Sequence, residues 1–143
     1  MKFKNLTSML RARYGPHSRE IEPSHWMFEV LTGKNRSQVV HLICKELTTD
    51  GQDISRVVAM SPIGPVPLRG DFESLLRRNA ELDVGAICIE DFRDEENQLL
   101  SYLTLRASHL VSTADFEEIW EMVEKVARVA DRLERDIYAH DVH

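Results

Sequence analysis

Six histidines, two cysteines and a knot of carboxylates carry whatever chemistry this chain has. The histidines are His17, His25, His41, His109, His140 and His143. His41 and Cys44 lie three apart, and on a strand an odd spacing sends side chains to opposite faces, so they make no metal pair. His140-Asp141-Val142-His143 reads as a frayed tail rather than a ligand set. Glu90-Asp91 and Asp94-Glu95-Glu96 gather carboxylates at one turn. Acid–base catalysis needs two such groups held at fixed separation in a shielded site, and a solvated turn does not hold them. EF-hand spacing, a Gly-rich phosphate loop, G-x-S-x-G, H-E-x-x-H and C-x-x-C are all missing. The residues therefore predict no catalytic site, no metal, no cofactor and no enzyme activity.

Bulk properties narrow the classes further. At 143 residues the chain suits one domain spanning 1–143, long enough to build a core without metal or disulfide. A net charge of −6 disfavours nucleic acid and anionic membranes as partners, since both need a basic excess. The first fifteen residues lack the apolar core of a signal peptide. No apolar run approaches the ~18 residues of a membrane span. A cytoplasmic location is expected. Cys44 and Cys88 each sit in an apolar run and read as two small buried hydrophobes.

Those side chains must be positioned by some scaffold, and the spacing of apolar residues predicts it. Phe3, Leu6, Met9, Leu10 and Tyr14 recur every three or four positions, which predicts a helix over 2–14 that Gly15-Pro16 stops. Residues 17–25 are polar and read as a loop. Three strands follow, over 25–32, 37–47 and 53–60, joined by Gly33-Lys34-Asn35-Arg36 and by Asp50-Gly51, a strong hairpin signal. Three prolines and two glycines in 61–70 exclude a central strand there and predict a connector. Asp71 is a candidate N-cap for a short helix over 72–79, and Asn79 suits a left-handed helix end. Strands over 84–91 and 99–107 come next. Ser112 with Asp115 resembles a capping box for a long amphipathic helix to about Ala139. The order α-β-β-β-α-β-β-α predicts an α+β fold: a five-stranded antiparallel sheet with its helices mainly on one face.

That sheet has a surplus of apolar residues. Val39 and Ile43 oppose Val40 and Leu42 across the second strand, and the last strand is apolar on both parities. One wetted face should give cleaner alternation. The uncovered apolar surface predicts a partner: a second copy, another chain, or both. Val39, His41 and Ile43 are the candidate protein-binding residues. The 72–79 helix is a candidate self-complementary surface for a homodimer. An alternative is a small-molecule sensor with a pocket between long helix and sheet near Trp26 and Trp120.

The order of elements carries a resemblance, together with Leu75-Leu76-x-x-Asn79, the strands over 84–91 and 99–107, and the long helix over 113–139. The chain resembles the type III secretion chaperone-like fold, which includes Tir-type secretion chaperones and YbjN-like sensory-transduction regulators. The likeness covers most of the chain by topology, and residues 72–139 by sequence. It implies a small, acidic, cytoplasmic bacterial homodimer without catalysis, whose chaperone members hold extended client segments along apolar grooves. The chain departs from that pattern in Ala80-Glu81-Leu82-Asp83 and in the Pro-rich 61–70 segment.

Overall fold

A computed structural model describes residues 1–67 and 69–139. The elements are helix α1 (Phe3–Tyr14), a single 3₁₀ turn (Gly15–His17), strands β1 (Ser18–Glu22), β2 (His25–Gly33), β3 (Arg36–Thr49) and β4 (Gln52–Pro65), helix α2 (Phe72–Asn79), strands β5 (Ala86–Arg93) and β6 (Leu99–Leu110), and helix α3 (Phe116–Tyr138). The strands form one antiparallel sheet in the order β1-β2-β3-β4-β6-β5. The fold is α+β, as the sequence predicts, but the sheet has six strands rather than five. The segment His140–His143, expected to be a frayed tail, lies outside the described residues.

The sixth strand is β1, where a loop was expected. An edge strand needs one backbone partner and little side-chain burial, so Ser18-Arg19-Glu20-Ile21-Glu22 pairs with β2 while four of its five residues stay exposed. It carries no alternation for a sequence reading to find. A bulge between Glu20 and Glu22 twists this edge and blunts it against further pairing.

Residues 61–65 are strand rather than the expected connector. β4 runs on through Ser61, Pro62, Ile63, Gly64 and Pro65, although prolines exclude most central strands. The register explains why. The β3 ladder ends at His41↔Met60, so Pro62 pairs only with Thr104 of β6. The Pro62 carbonyl faces the vacated β3 side and accepts from the Gln38 Nε2 at 2.7 Å. The N–H that proline lacks would face that same side, where no strand needs it. A bulge between Pro62 and Gly64 then bends the strand.

The turn chemistry follows the sequence. Asp50 and Gly51 both have positive φ (52° and 76°), as a tight two-residue hairpin turn requires. Asp115, not Ser112, caps α3: the Glu118 amide donates to Asp115 Oδ1 at 2.9 Å, and Glu118 Oε2 accepts from the Asp115 amide at 3.2 Å. The box is shifted three residues because Val111 and Ala114 are themselves buried and hold the preceding turn against the core.

α3 is 23 residues long, about 35 Å at 1.5 Å per residue, enough to cross the sheet. Its Ile119, Val123, Val126, Ala130 and Leu133 pack on Phe28, Val40, Leu42, Val57 and Leu105. α1 adds Leu6 and Leu10 to this layer. Tyr14 donates to Glu124 at 3.2 Å, and burial with that carboxylate pushes the phenol well above its ordinary pKa. Arg36 grips the buried Asp131 with Nη2–Oδ1 at 2.7 Å and Nε–Oδ2 at 3.3 Å, pinning the β2–β3 turn to α3. That contact holds the Asp131 carboxyl below its usual range.

Candidate protein-binding surface

Alternation along β3 sends Val40 and Leu42 towards the helices, and Val39, His41 and Ile43 to the opposite face. All three lie half-buried on that helix-free face. Their register neighbours there are Glu29, Met27 and His25 on β2, and Met60 and Val58 on β4. Val58 and Met60 are buried yet stand outside the helix-packed core. Thr104 is fully buried on this face, and its hydroxyl has no hydrogen-bond partner. Apolar residues do point both ways, but strand twist lets neighbours shield much of the second set.

The largest apolar exposure lies elsewhere. Phe72 and Leu76 of α2, Ile89 and Phe92 of β5, and Leu99 and Leu100 of β6 are all exposed. They lie around the sheet's β5 edge, Phe92 with its register partner Leu100 on one face, and Phe72, Leu76 and Ile89 on the opposite face, the side of α2. There a groove of about 310 Å³ is lined by Phe72, Leu75, Leu76, Asn79, Ile87, Cys88, Ile89 and Leu103, with little polar surface. Sequence reading placed a self-complementary helix at 72–79 but not the groove. Its signal was Leu75 beside Leu76: a two-turn helix buries one narrow stripe, and adjacent leucines cannot both lie on it. Leu75 is half-buried, and Leu76 is 68% exposed.

Asn79 builds this groove. It was expected to end α2 in a left-handed conformation, but among the described residues the positive-φ residues other than glycine are Asn35, Asp50 and Asn97. Instead the Asn79 Oδ1 accepts the Ile87 amide at 2.6 Å. The side chain of Asn79, the last residue of α2, thus docks the helix on the start of β5. The bond also sets the strand's polarity. The Ile87 N–H points away from β6, so by alternation Ile89, Asp91 and Arg93 also direct their backbone polar groups to the open edge. α2 is further fixed by Asp71 accepting from the Ser74 amide at 3.0 Å and by Arg78 facing Asp136 of α3 at 3.7 Å.

The other chemistry-bearing residues are dispersed. Glu90 pairs with Arg106 at 2.8 Å, and Asp91 accepts from Ser101 at 2.6 Å. Asp94 closes its own turn by accepting from the amides of Glu96 and Gln98. Cys44 and Cys88 are free and half-buried rather than fully buried. Burial raises both thiol pKa values, which keeps them protonated. Trp26 stacks on Phe28, while Trp120 stacks on Phe116 beneath the Arg13 guanidinium. Among the described residues no helix is long and apolar enough to cross a membrane. No family model and no curated protein matches the chain.

Proposed function

We propose that this protein is a non-catalytic protein-binding module that works as a homodimer, in the manner of secretion-chaperone-like or YbjN-like regulatory proteins. One observation carries the reading: the exposed apolar side chains Phe72 and Leu76 of α2 and Ile89 of β5 line one groove beside an open strand edge. An unpaired edge offers backbone hydrogen bonds, and the groove beside it offers side-chain burial. A second copy is the occupant that fits best, because Leu76 can serve both as a knob for the partner's groove and as a wall of its own. The helix-free face with Val39, His41 and Ile43 then remains for a client segment or regulatory partner.

Light scattering tests the dimer: the mass should be twice the 16.5 kDa of the chain. Leu76→Gln should shift the protein to monomer. Fully burying a leucine is worth ~1.5–3 kcal/mol, and Leu76 is 68% exposed. Each copy then has about 1–2 kcal/mol left to gain there, and a symmetric pair about 2–4 kcal/mol. At 1.4 kcal/mol per tenfold, the dimer Kd should weaken roughly 30- to 700-fold. An unchanged mass at equal concentration would count against this interface. Ile43→Asp, if folded, should lose the client or regulatory partner while remaining dimeric.

A further inference from the structure

The β2–β3 and β3–β4 registers bring four side chains together on the helix-free face. His41 lies directly opposite Met27 on one side and Met60 on the other. His25, two residues before Met27, sits diagonally across, with its Nε2 2.8 Å from His41 Nδ1. The two rings are tilted 45° with centroids 5.0 Å apart. Two imidazole nitrogens thus face each other, and His41 has a methionine as its register partner on each neighbouring strand. Directly opposed residues have Cβ atoms ~4.5–5.5 Å apart, and methionine's three rotatable bonds let its sulfur reach well beyond that.

We propose that His25 and His41, completed by a thioether from Met27 or Met60, form a binding site for a soft monovalent cation of the Cu(I) type. The donor set decides the class. Among the described residues no group of three or more His, Cys, Asp or Glu converges on any point, so a hard dication would find no anionic cage. Imidazole with thioether suits Cu(I), which accepts low coordination by neutral, polarizable ligands. The geometry is close to ready. With metal–nitrogen bonds near 2.0 Å and a trigonal three-ligand geometry, the ring nitrogens need part by roughly 0.7 Å. The proton shared between the rings moves by tautomer exchange to an outer ring nitrogen, so neutral ligands bind with no net proton release. Met60 is buried and Met27 half-buried, which shields the cation from water on both flanks. The sequence alone gave no sign of this site, because His25 and His41 are sixteen residues apart and methionine is absent from familiar ligand motifs.

The test is a Cu(I) titration of the full chain under anaerobic ascorbate, competed against bicinchoninate. Free thiols also bind Cu(I), so the reference protein carries Cys44→Ser and Cys88→Ser, with circular dichroism confirming its fold. The reference should withdraw one equivalent of Cu(I). His25→Ala and His41→Gln should each weaken binding at least about tenfold, and at least one of Met27→Leu and Met60→Leu should do the same. Ag(I), a redox-inert probe, should shift the methyl resonance of that methionine. Three results would overturn the proposal: no withdrawal of Cu(I), withdrawal indifferent to both histidines, or withdrawal indifferent to both methionines. The last would leave a bare imidazole pair that closes a hydrogen bond between strands.

Discussion

Asn79→Ala tests how α2 is held to the sheet, and with it the shape of the groove. The Asn79 Oδ1 accepts the Ile87 amide at 2.6 Å, and Ile87 is buried at the start of β5. Truncation leaves that amide without a partner in a place water reaches poorly, at a cost of ~1–3 kcal/mol. Alanine is the better helix former, which returns up to ~0.7 kcal/mol at the last residue of α2. The net loss should be about 1–2 kcal/mol. For a chain of this size that lowers Tm by roughly 3–8 °C. Urea unfolding is the assay: the midpoint should fall with the slope unchanged. The Ile87 amide should exchange faster with deuterium while the centre of β6 keeps its protection. Asn79→Asp keeps an acceptor oxygen and should stay close to the parent. A loss under ~0.3 kcal/mol in Asn79→Ala, with Ile87 still protected, would refute the idea that this bond docks the helix.

Two further outcomes follow from buried polar groups. Thr104 is fully buried and its hydroxyl unpartnered, so Thr104→Val should stabilise the fold by about 1 kcal/mol in urea unfolding. Destabilisation would mean that the hydroxyl has a partner after all. Burial, and then the neighbouring His25, lower the pKa of His41. A base whose folded pKa is depressed contributes stability above its unfolded pKa, near 6.5, and loses it as pH falls through the folded value. The parent should therefore lose more stability between pH 7.5 and 5.5 than His41→Gln does; equal losses would remove His41 from the titration.

How much could be read from sequence varied with the physics of each element. α3 was legible because its apolar stripe holds a 3.6-residue period for six turns over a charged far side. The β3–β4 hairpin was legible because Asp50-Gly51 demands a tight turn between two β-rich runs. β1 was not, since an edge strand is held by backbone bonds that every residue can make. The continuation of β4 through Pro62 was hidden because a proline's missing donor matters only if a neighbouring strand needs it, and β3 has already ended there. Val39, His41 and Ile43 share one face by simple alternation. Which β2 residues oppose them depends on a bulge between Leu31 and Gly33 that shifts the register by one residue. Without that shift His41 would oppose Phe28 instead of Met27, and no periodicity announces it. The groove was half legible: Leu75 beside Leu76 marks an apolar excess on α2, but that β5 is the sheet's edge follows only from β6 pairing with β4.

Self-association through the α2–β5 groove is most directly measured by sedimentation velocity of the unmodified chain across a wide concentration range. The weight-average mass should rise with concentration from 16.5 kDa to a plateau at twice that value, and Leu76→Gln should displace the curve to higher concentration. A single 16.5 kDa species at every concentration up to the millimolar range would contradict it.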